Sequence, residues 1–559
     1  MQKLQIFVFK LPNSYRLALL RNPLHLLDLL PADQAPRALA LTPQLASSDA
    51  YLALRLWESR FRSKMGHLWW QVLSRRQRKS SMDPWEISRS DCVAEELFFR
   101  LEEIVAGRIL AERRVISILR QEGFWPSDIS RALDVAVSRE AVVQLPGFLT
   151  APWGQRVCAR CQGVEVRIAP CLQCGRPDCL LCLSCSSVGE HRACSTLLAL
   201  PKGGRHNLPR QHKTHPKLEL DYDLTVSQQQ ASEDLLHFWD HGHGKALVWA
   251  ACGAGKTEVT FALIQRALSE GDDVLFAIPR QDIVREMTER LHHAFPEVEI
   301  ASHYGGQPWH APGQLVVATT HQVLHFYQRF KLAILDEVDA FPYQGNEVLR
   351  YGMERSLLPG GRLIEMTATP HSRREYTKVI TIPARYHGHA LPEPELVVSK
   401  LQSWKTMQTQ DLPSVLLDRL EGGGNPWLIF APTIEACERL RSLLREALGR
   451  PVGLCHSKVD NRGAVIERLR EGKLDIIVTT SVLERGVNFP RVGVVVLYAD
   501  HAVFTVSALV QIAGRVGRSL EAPGGTVLFL ASRLSVPMKK ARELIRDLNQ
   551  QARERGLIQ

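Results

Sequence analysis

Short apolar runs of strand length recur through the C-terminal two thirds of this chain, separated by stretches in which apolar positions return at helical spacing. The runs are Lys245–Trp249, Val274–Pro279, Leu315–Thr320, Leu332–Glu337 and Leu363–Thr369; after a polar stretch they restart with Trp427–Pro432, Leu474–Thr480, Gly493–Tyr498 and Gly525–Leu530. Between the first two, Val259, Leu263, Ala267 and Leu268 mark one helix face that stops at Gly271. Continuously apolar strands alternating with crossover helices belong to parallel sheets covered on both faces. The pattern predicts an α/β fold with two parallel-sheet lobes, residues 224–394 and 411–559, joined by a linker.

The front of the chain reads differently. Residues 1–150 carry leucine-rich stretches and are expected to be mainly helical, without a chemical motif. Within them, Arg60–Lys79 interleaves basic residues with Trp69 and Trp70. That composition suits either backbone tracking with base stacking or a basic amphipathic helix with buried tryptophans. Residues 151–200 form a cysteine-rich module. Residues 201–223, rich in Pro, Gly, His and Lys, read as a basic linker separating module from lobes.

Composition narrows the partners. The 559 residues carry 69 Lys and Arg against 59 Asp and Glu, a formal charge of +10 that favours a polyanion. No run of 18 apolar residues occurs, and the first ten residues are too short and too charged for a signal peptide, so a cytoplasmic protein is expected. Eight of the twelve cysteines lie between Cys158 and Cys194, in C-x-x-C pairs at the spacing of tetrahedral metal sites. Zinc is the expected metal, with an iron–sulfur cluster as the competing reading. Cys92, Cys252, Cys437 and Cys455 read as small core residues.

Three segments carry the chemistry. Ala250-Ala-Cys-Gly-Ala-Gly-Lys-Thr257 follows a strand and opens a helix, as a phosphate-cradling loop must. Gly253, Ala254 and Gly255 let successive N–H groups face phosphate oxygens; Lys256 would meet the β/γ charge and Thr257 a Mg²⁺. ATP is thus the expected substrate. Asp336-Glu-Val-Asp339 ends a strand, where Asp336 would hold Mg²⁺ and Glu337 would activate water. In the second lobe, Gln511-Ile-Ala-Gly-Arg-Val-Gly-Arg518 supplies Gln511, Arg515 and Arg518 for charge on the transferring phosphoryl group.

From Leu224 onward these residues resemble superfamily 2 helicases and translocases, which implies two RecA-like lobes. The resemblance makes Gln228, in Leu224-Thr-Val-Ser-Gln228, the adenine contact. It assigns Ala277–Arg280 and Thr319–Gln322 to strand contact, Thr367–Thr369 to coupling, and Val478–Asn488 to contact with nucleic acid and nucleotide. Asp336–Pro342, Cys252–Glu258 and the upstream cysteines together resemble the ComFA family, late-competence ATPases of bacterial DNA uptake. That implies a zinc site of Cys158, Cys161, Cys182 and Cys185, leaving Cys171, Cys174, Cys179 and Cys194 for a second, with His191 as a substitute ligand. It also implies single-stranded DNA as partner, work beside ComFC and DprA, and a place at the inner face of the membrane near a DNA-uptake channel.

The resulting expectation is an ATP-dependent single-stranded DNA translocase that assists import of transforming DNA. A replication-restart-type helicase and a nucleotide-gated DNA-binding scaffold are the alternatives.

Overall fold

The computed structural model describes residues 95–138, 141–151, 154–202, 215–306, 313–370, 376–421, 426–484, 489 and 491–558, with the backbone of 3–11, 14–20, 38–40 and 45–46. The Arg60–Lys79 segment lies outside the described residues, as do Arg485–Asn488 of the second-lobe motif.

Each strand expected in the two lobes forms. The first lobe is a seven-stranded, all-parallel sheet in the spatial order Ile300–His303, Leu315–Thr319, Val274–Ile278, Phe330–Leu335, Leu357–Thr367, Lys245–Ala250, Lys378–Ile382. The second is a six-stranded parallel sheet ordered Glu395–Val398, Val527–Ala531, Gly493–Leu497, Trp427–Phe430, Ile476–Thr479, Gly453–Cys455. Central strands such as Val274–Ile278 and Gly493–Leu497 are buried along their whole length because helices cover both faces. Four of those helices start where the sequence offers hydroxyl caps. Thr225, Thr433, Thr505 and Ser535 each accept from a main-chain N–H in the first turn of the following helix.

The linker between the lobes is shorter than the sequence suggests. Glu395–Val398 is an edge strand of the second sheet, and Trp404 packs edge-on against Tyr498 with ring centroids 5.1 Å apart. Upstream, the Asn549 amide holds both the N–H (2.7 Å) and the C=O (2.9 Å) of Leu391. One apolar cluster crosses from lobe to lobe, joining Cys252 and Ile382 to Val510, Ala513 and Val516.

The front of the chain departs more from expectation. Besides helices Glu95–Val105, Glu112–Gln121 and Pro126–Ser138, the backbone forms a four-stranded antiparallel sheet around Lys3–Leu11. Thr196–Leu200, the end of the expected cysteine module, pairs with Arg108–Ala111 and with Val143–Pro146. A boundary at 150/151 therefore cuts a sheet, and the cysteine segment is an insertion in it. Nor does the following segment hold module and lobe apart. Phe148, Cys158, Cys161, Cys182, Cys185 and Val188 share a buried apolar cluster with Leu275, Phe326 and Leu335 of the first lobe. Arg355, from the helix Glu347–Ser356, donates to the main-chain oxygens of Arg160, Leu324 (2.6 Å) and Phe326 (3.3 Å). Residues 215–223 run along the first lobe, where Gln265 donates to the Pro216 oxygen at 3.0 Å and Leu218 and Leu220 pack on the core. Among the described residues no helix is long and apolar enough to cross a membrane.

Candidate nucleotide cleft and cysteine clusters

The phosphate loop turns tightly from the end of strand Lys245–Ala250 into the helical segment that begins at Glu258. Gly253 and Gly255 have φ of +81° and +71°, which a side chain would strain, and a Cβ on Gly255 would sit 2.1 Å from the Gln228 amide nitrogen. Gln228 fills that space instead. Its amide donates to the Ala254 oxygen (3.0 Å) and accepts from the Thr225 N–H (2.9 Å), so the residue that caps its own helix also braces the loop.

Lys256 and Asp336 meet at 2.6 Å beyond the carboxyl ends of Lys245–Ala250 and Phe330–Leu335, two parallel strands separated in the sheet by Leu357–Thr367. Burial alone would lower the Lys256 ammonium, but the charges of Asp336, Glu337 and Asp339 outweigh it and hold the group above its ordinary value. Burial raises the Asp336 carboxyl, with Lys256 opposing. A dication beside Asp336 would favour its ionised form, and Thr257, which follows Lys256 at the loop's end, is buried. The residues thus fit a Mg²⁺-bearing triphosphate.

Asp339, the last acid of the quartet, was not singled out by the sequence, yet it organises the strand ends. It accepts from Thr367 (2.8 Å) and Thr369 (3.1 Å) and, across the cleft, from Ser507 in the first turn of helix Val506–Ala513. The first-lobe segments assigned to strand contact follow the adjacent strands Val274–Ile278 and Leu315–Thr319, with Thr320 N–H bonded to the Ile278 oxygen at 3.0 Å.

The second lobe brings Gln511, Arg515 and Arg518 to the same cleft. Cys252 of the phosphate loop directs its thiol at the Gln511 side-chain oxygen (3.4 Å), and its Cβ would lie 2.4 Å from any Cβ on Gly514. That contact requires the first glycine of the arginine segment. The second, Gly517, has φ of +69° and a carbonyl of Pro523 where its Cβ would be. Arg518 packs within 4.0 Å of the Cβ position on Gly253 and donates to the Gly514 oxygen at 2.8 Å; Arg515 donates to the Glu484 oxygen at 3.0 Å. Burial pushes Arg515 down to about 9, helped by the like charge of Arg518, and lowers Arg518 as well. Desolvated cations facing a phosphate loop make an anion site.

The cysteines separate into the two sets expected. Cys158, Cys161, Cys182 and Cys185 are all buried, and Cys171, Cys174, Cys179 and Cys194 form a second group; within each, all sulfurs lie within 4.8 Å of one another. Cys179 and Cys182 occupy one strand three residues apart, so alternation sends them to opposite faces and to different groups. Two sulfurs of the first set accept from neighbouring donors outside it. Buried Arg160 donates twice to Cys185 Sγ (3.0 and 3.3 Å), and the Gly163 N–H donates to Cys161 Sγ at 3.3 Å. Four buried sulfurs with outer-shell donors fit a closed tetrahedral metal site. His191 belongs to neither set: its ring hydrogen-bonds the Gly147 oxygen at 2.9 Å and stacks on Phe148, so its expected role as a substitute ligand does not hold.

Residues 221–372 match the family described as type III restriction enzyme, res subunit, and residues 408–519 match the helicase conserved C-terminal domain. The chain is 27% identical over 343 residues to the ATP-dependent DNA helicase RecG of Streptococcus pneumoniae serotype 4, covering 56% of this chain and 49% of that one. Among solved structures, yeast Dbp5 bound to RNA and ADP BeF3 aligns with a TM-score of 0.41 at 17% identity, over 58% of this chain and 92% of that one. Competence protein ComFA of Bacillus subtilis (strain 168) is 32% identical over 406 residues, 71% of this chain and 86% of that protein. Competence protein ComFA of Streptococcus pneumoniae (strain ATCC BAA-255 / R6) is 35% identical over 381 residues, 66% and 86% respectively. With two helicase lobes, a cross-lobe nucleotide cleft and paired cysteine clusters, the chain belongs to the ComFA family of competence proteins.

Proposed function

We propose that this protein is a DNA-stimulated ATPase that moves along single-stranded DNA and assists the import of transforming DNA. The observation that carries the reading is the cleft in which Lys256, Asp336 and Glu337 of one lobe face Arg515 and Arg518 of the other. Lys256 and the loop N–H groups would bind the β- and γ-phosphates, and Gln228 would face adenine. Asp336 and Thr257 would hold Mg²⁺, which neutralises phosphate charge when bound. Glu337 would accept the proton of the attacking water, while Arg515 and Arg518 would stabilise the charge that gathers on the γ-phosphoryl oxygens. Gln511 would orient the cleft face through Cys252.

Coupling to motion runs through Asp339. Its bonds to Thr367, Thr369 and Ser507 make the acidic loop and the second lobe one hydrogen-bonded unit, so a change at Glu337 is transmitted across the cleft. Backbone contacts would dominate DNA binding, giving steep salt dependence and little base preference. Zn²⁺ in the two cysteine sets would be structural, since four thiolates leave no position for water. ComFC, DprA and an uptake channel at the inner membrane are the partners this reading implies.

Steady-state ATP hydrolysis titrated with single-stranded DNA, duplex DNA and RNA at fixed salt tests the proposal. The reading expects single strands to stimulate turnover most, Lys256→Ala to abolish it, and Glu337→Gln to bind ATP while hydrolysing slowly. Turnover indifferent to nucleic acid would favour a gated scaffold, and melting of a tailless duplex would favour a restart-type helicase.

A further inference from the structure

Arg385 lies in the covalent connection between the lobes, in a stretch without any motif, yet it is 3% exposed and reaches both sides of the cleft. Its Nε donates to the Cys252 oxygen in the phosphate loop at 2.8 Å. Its two terminal nitrogens donate to the oxygens of Gly514 (3.0 Å), Val516 (2.7 Å) and Gly517, the turn on which Arg515 and Arg518 are mounted. The next residues reinforce the grip: Tyr386 donates its hydroxyl to the Arg518 oxygen at 3.1 Å, and the His387 ring meets the Gly517 oxygen at 3.0 Å.

Four carbonyl acceptors around one planar guanidinium form a three-way junction of phosphate loop, connector and arginine turn. A Lys ammonium has three donors around a point charge and cannot reproduce that fork. The carbonyls also come from both lobes, one from the phosphate loop and three from the turn after helix Val506–Ala513, so the side chain ties together two segments that neither lobe holds in register alone. Cys252 against Gly514 and the apolar cluster that joins Ile382 to Val510, Ala513 and Val516 add contact here, and such contacts limit approach without the directionality of hydrogen bonds.

Resting on the ATPase reading above, we infer that Arg385 is a positioning residue for hydrolysis: it aims the Arg515–Arg518 turn at the phosphate loop through main-chain carbonyls. It contributes to the rate through geometry and has little part in holding ATP, which the first lobe grips by itself. Burial lowers the Arg385 guanidinium to about 10, with the like charge of Arg518 adding to the effect, and the carbonyl oxygens around it supply the acceptors that keep it in place.

The test uses the full chain with Arg385→Ala and Arg385→Lys, reading kcat and KM for ATP with saturating single-stranded DNA, affinity for a fluorescent ATP analogue, and the melting temperature. Displacing the arginine turn by about 1 Å is expected to lower kcat on the order of 100-fold. KM and analogue affinity should stay within about threefold, and Arg385→Lys, which keeps the charge but loses the fork, should recover less than about a tenth of parental turnover. Turnover within about twofold of parental in either variant overturns the inference, as does a loss of analogue affinity in step with kcat. If Arg385→Ala does not fold, Arg385→Lys decides by the same readings. A parental chain without ATPase activity would instead remove the underlying ATPase reading, so the two failures are distinguishable.

Discussion

Replacing Gly514 with Ala adds one methyl group at the point where the two lobes touch. Gly514 has φ of −64° and ψ of −5°, ordinary helical values, so alanine meets no backbone strain. Within the second lobe it should be neutral or stabilising by about 0.4–1 kcal/mol, because the unfolded chain loses freedom. Across the cleft, however, the new Cβ would lie 2.4 Å from Cys252 Cβ and 2.8 Å from its sulfur, where ordinary contact begins at 3.4 Å. The lobes must part by about 1 Å, a misplacement of a kind that lowers catalysis by roughly 100-fold. The assay is single-strand-stimulated ATP hydrolysis beside thermal melting. We expect kcat to fall by about two orders of magnitude with an unchanged or higher melting temperature, and Cys252→Gly in the same chain to restore most of it. Turnover of Gly514→Ala within about twofold of parental, or a loss that Cys252→Gly leaves untouched, would refute the idea that this contact sets the catalytic closure.

Three further outcomes follow from other parts of the structure. His303 and His325 are lowered to about 3, mainly by burial, with Arg329 and Arg108 adding at His303 and Arg160 and Arg355 at His325. Both rings are neutral when folded and gain protons only on unfolding, so stability should fall as pH drops from 6.5 toward 3, by up to about 1.4 kcal/mol per pH unit for each. Urea midpoints between pH 7 and 5 check this, and an unchanged slope in His303→Asn would contradict it. A chelator should remove metal in two phases, first from the set containing half-exposed Cys174 and Cys194 and later from the buried Cys158 set; one phase releasing both would contradict the assignment. Asp339→Asn should keep ATP affinity while reducing DNA-stimulated turnover by about tenfold or more, since it weakens the bonds to Thr367, Thr369 and Ser507; equal turnover in a stopped assay would exclude coupling by this route.

What the sequence reveals about this chain tracks how local the determinant is. The phosphate loop, the acidic quartet and the arginine segment each confine their chemistry to eight residues or fewer, and all three come together as their spacing implies. Long buried strands show their character in composition, whereas the edge strands Gly453–Cys455 and Glu395–Val398 are too short to display a period. Thr196–Leu200 is apolar enough to be read as a strand, but its partners lie before the cysteine insertion, and nothing local names them. Arg385 is the extreme case. Its surroundings, Pro383-Ala-Arg-Tyr-His387, carry no signal, because its significance is set by carbonyls about 130 positions away on either side. Asp339 was visible as a residue but not as a hub, since only folding brings Ser507 to it.

The central claim is that ATP spent in the cross-lobe cleft drives movement along a single strand. Displacement of streptavidin from the end of a biotinylated single-stranded oligonucleotide measures that directly, with free biotin as trap. The account predicts displacement with ATP and Mg²⁺, none with a non-hydrolysable analogue, and none with Glu337→Gln despite intact ATP and DNA binding. Robust DNA-stimulated hydrolysis with no displacement from either end of the strand would contradict it.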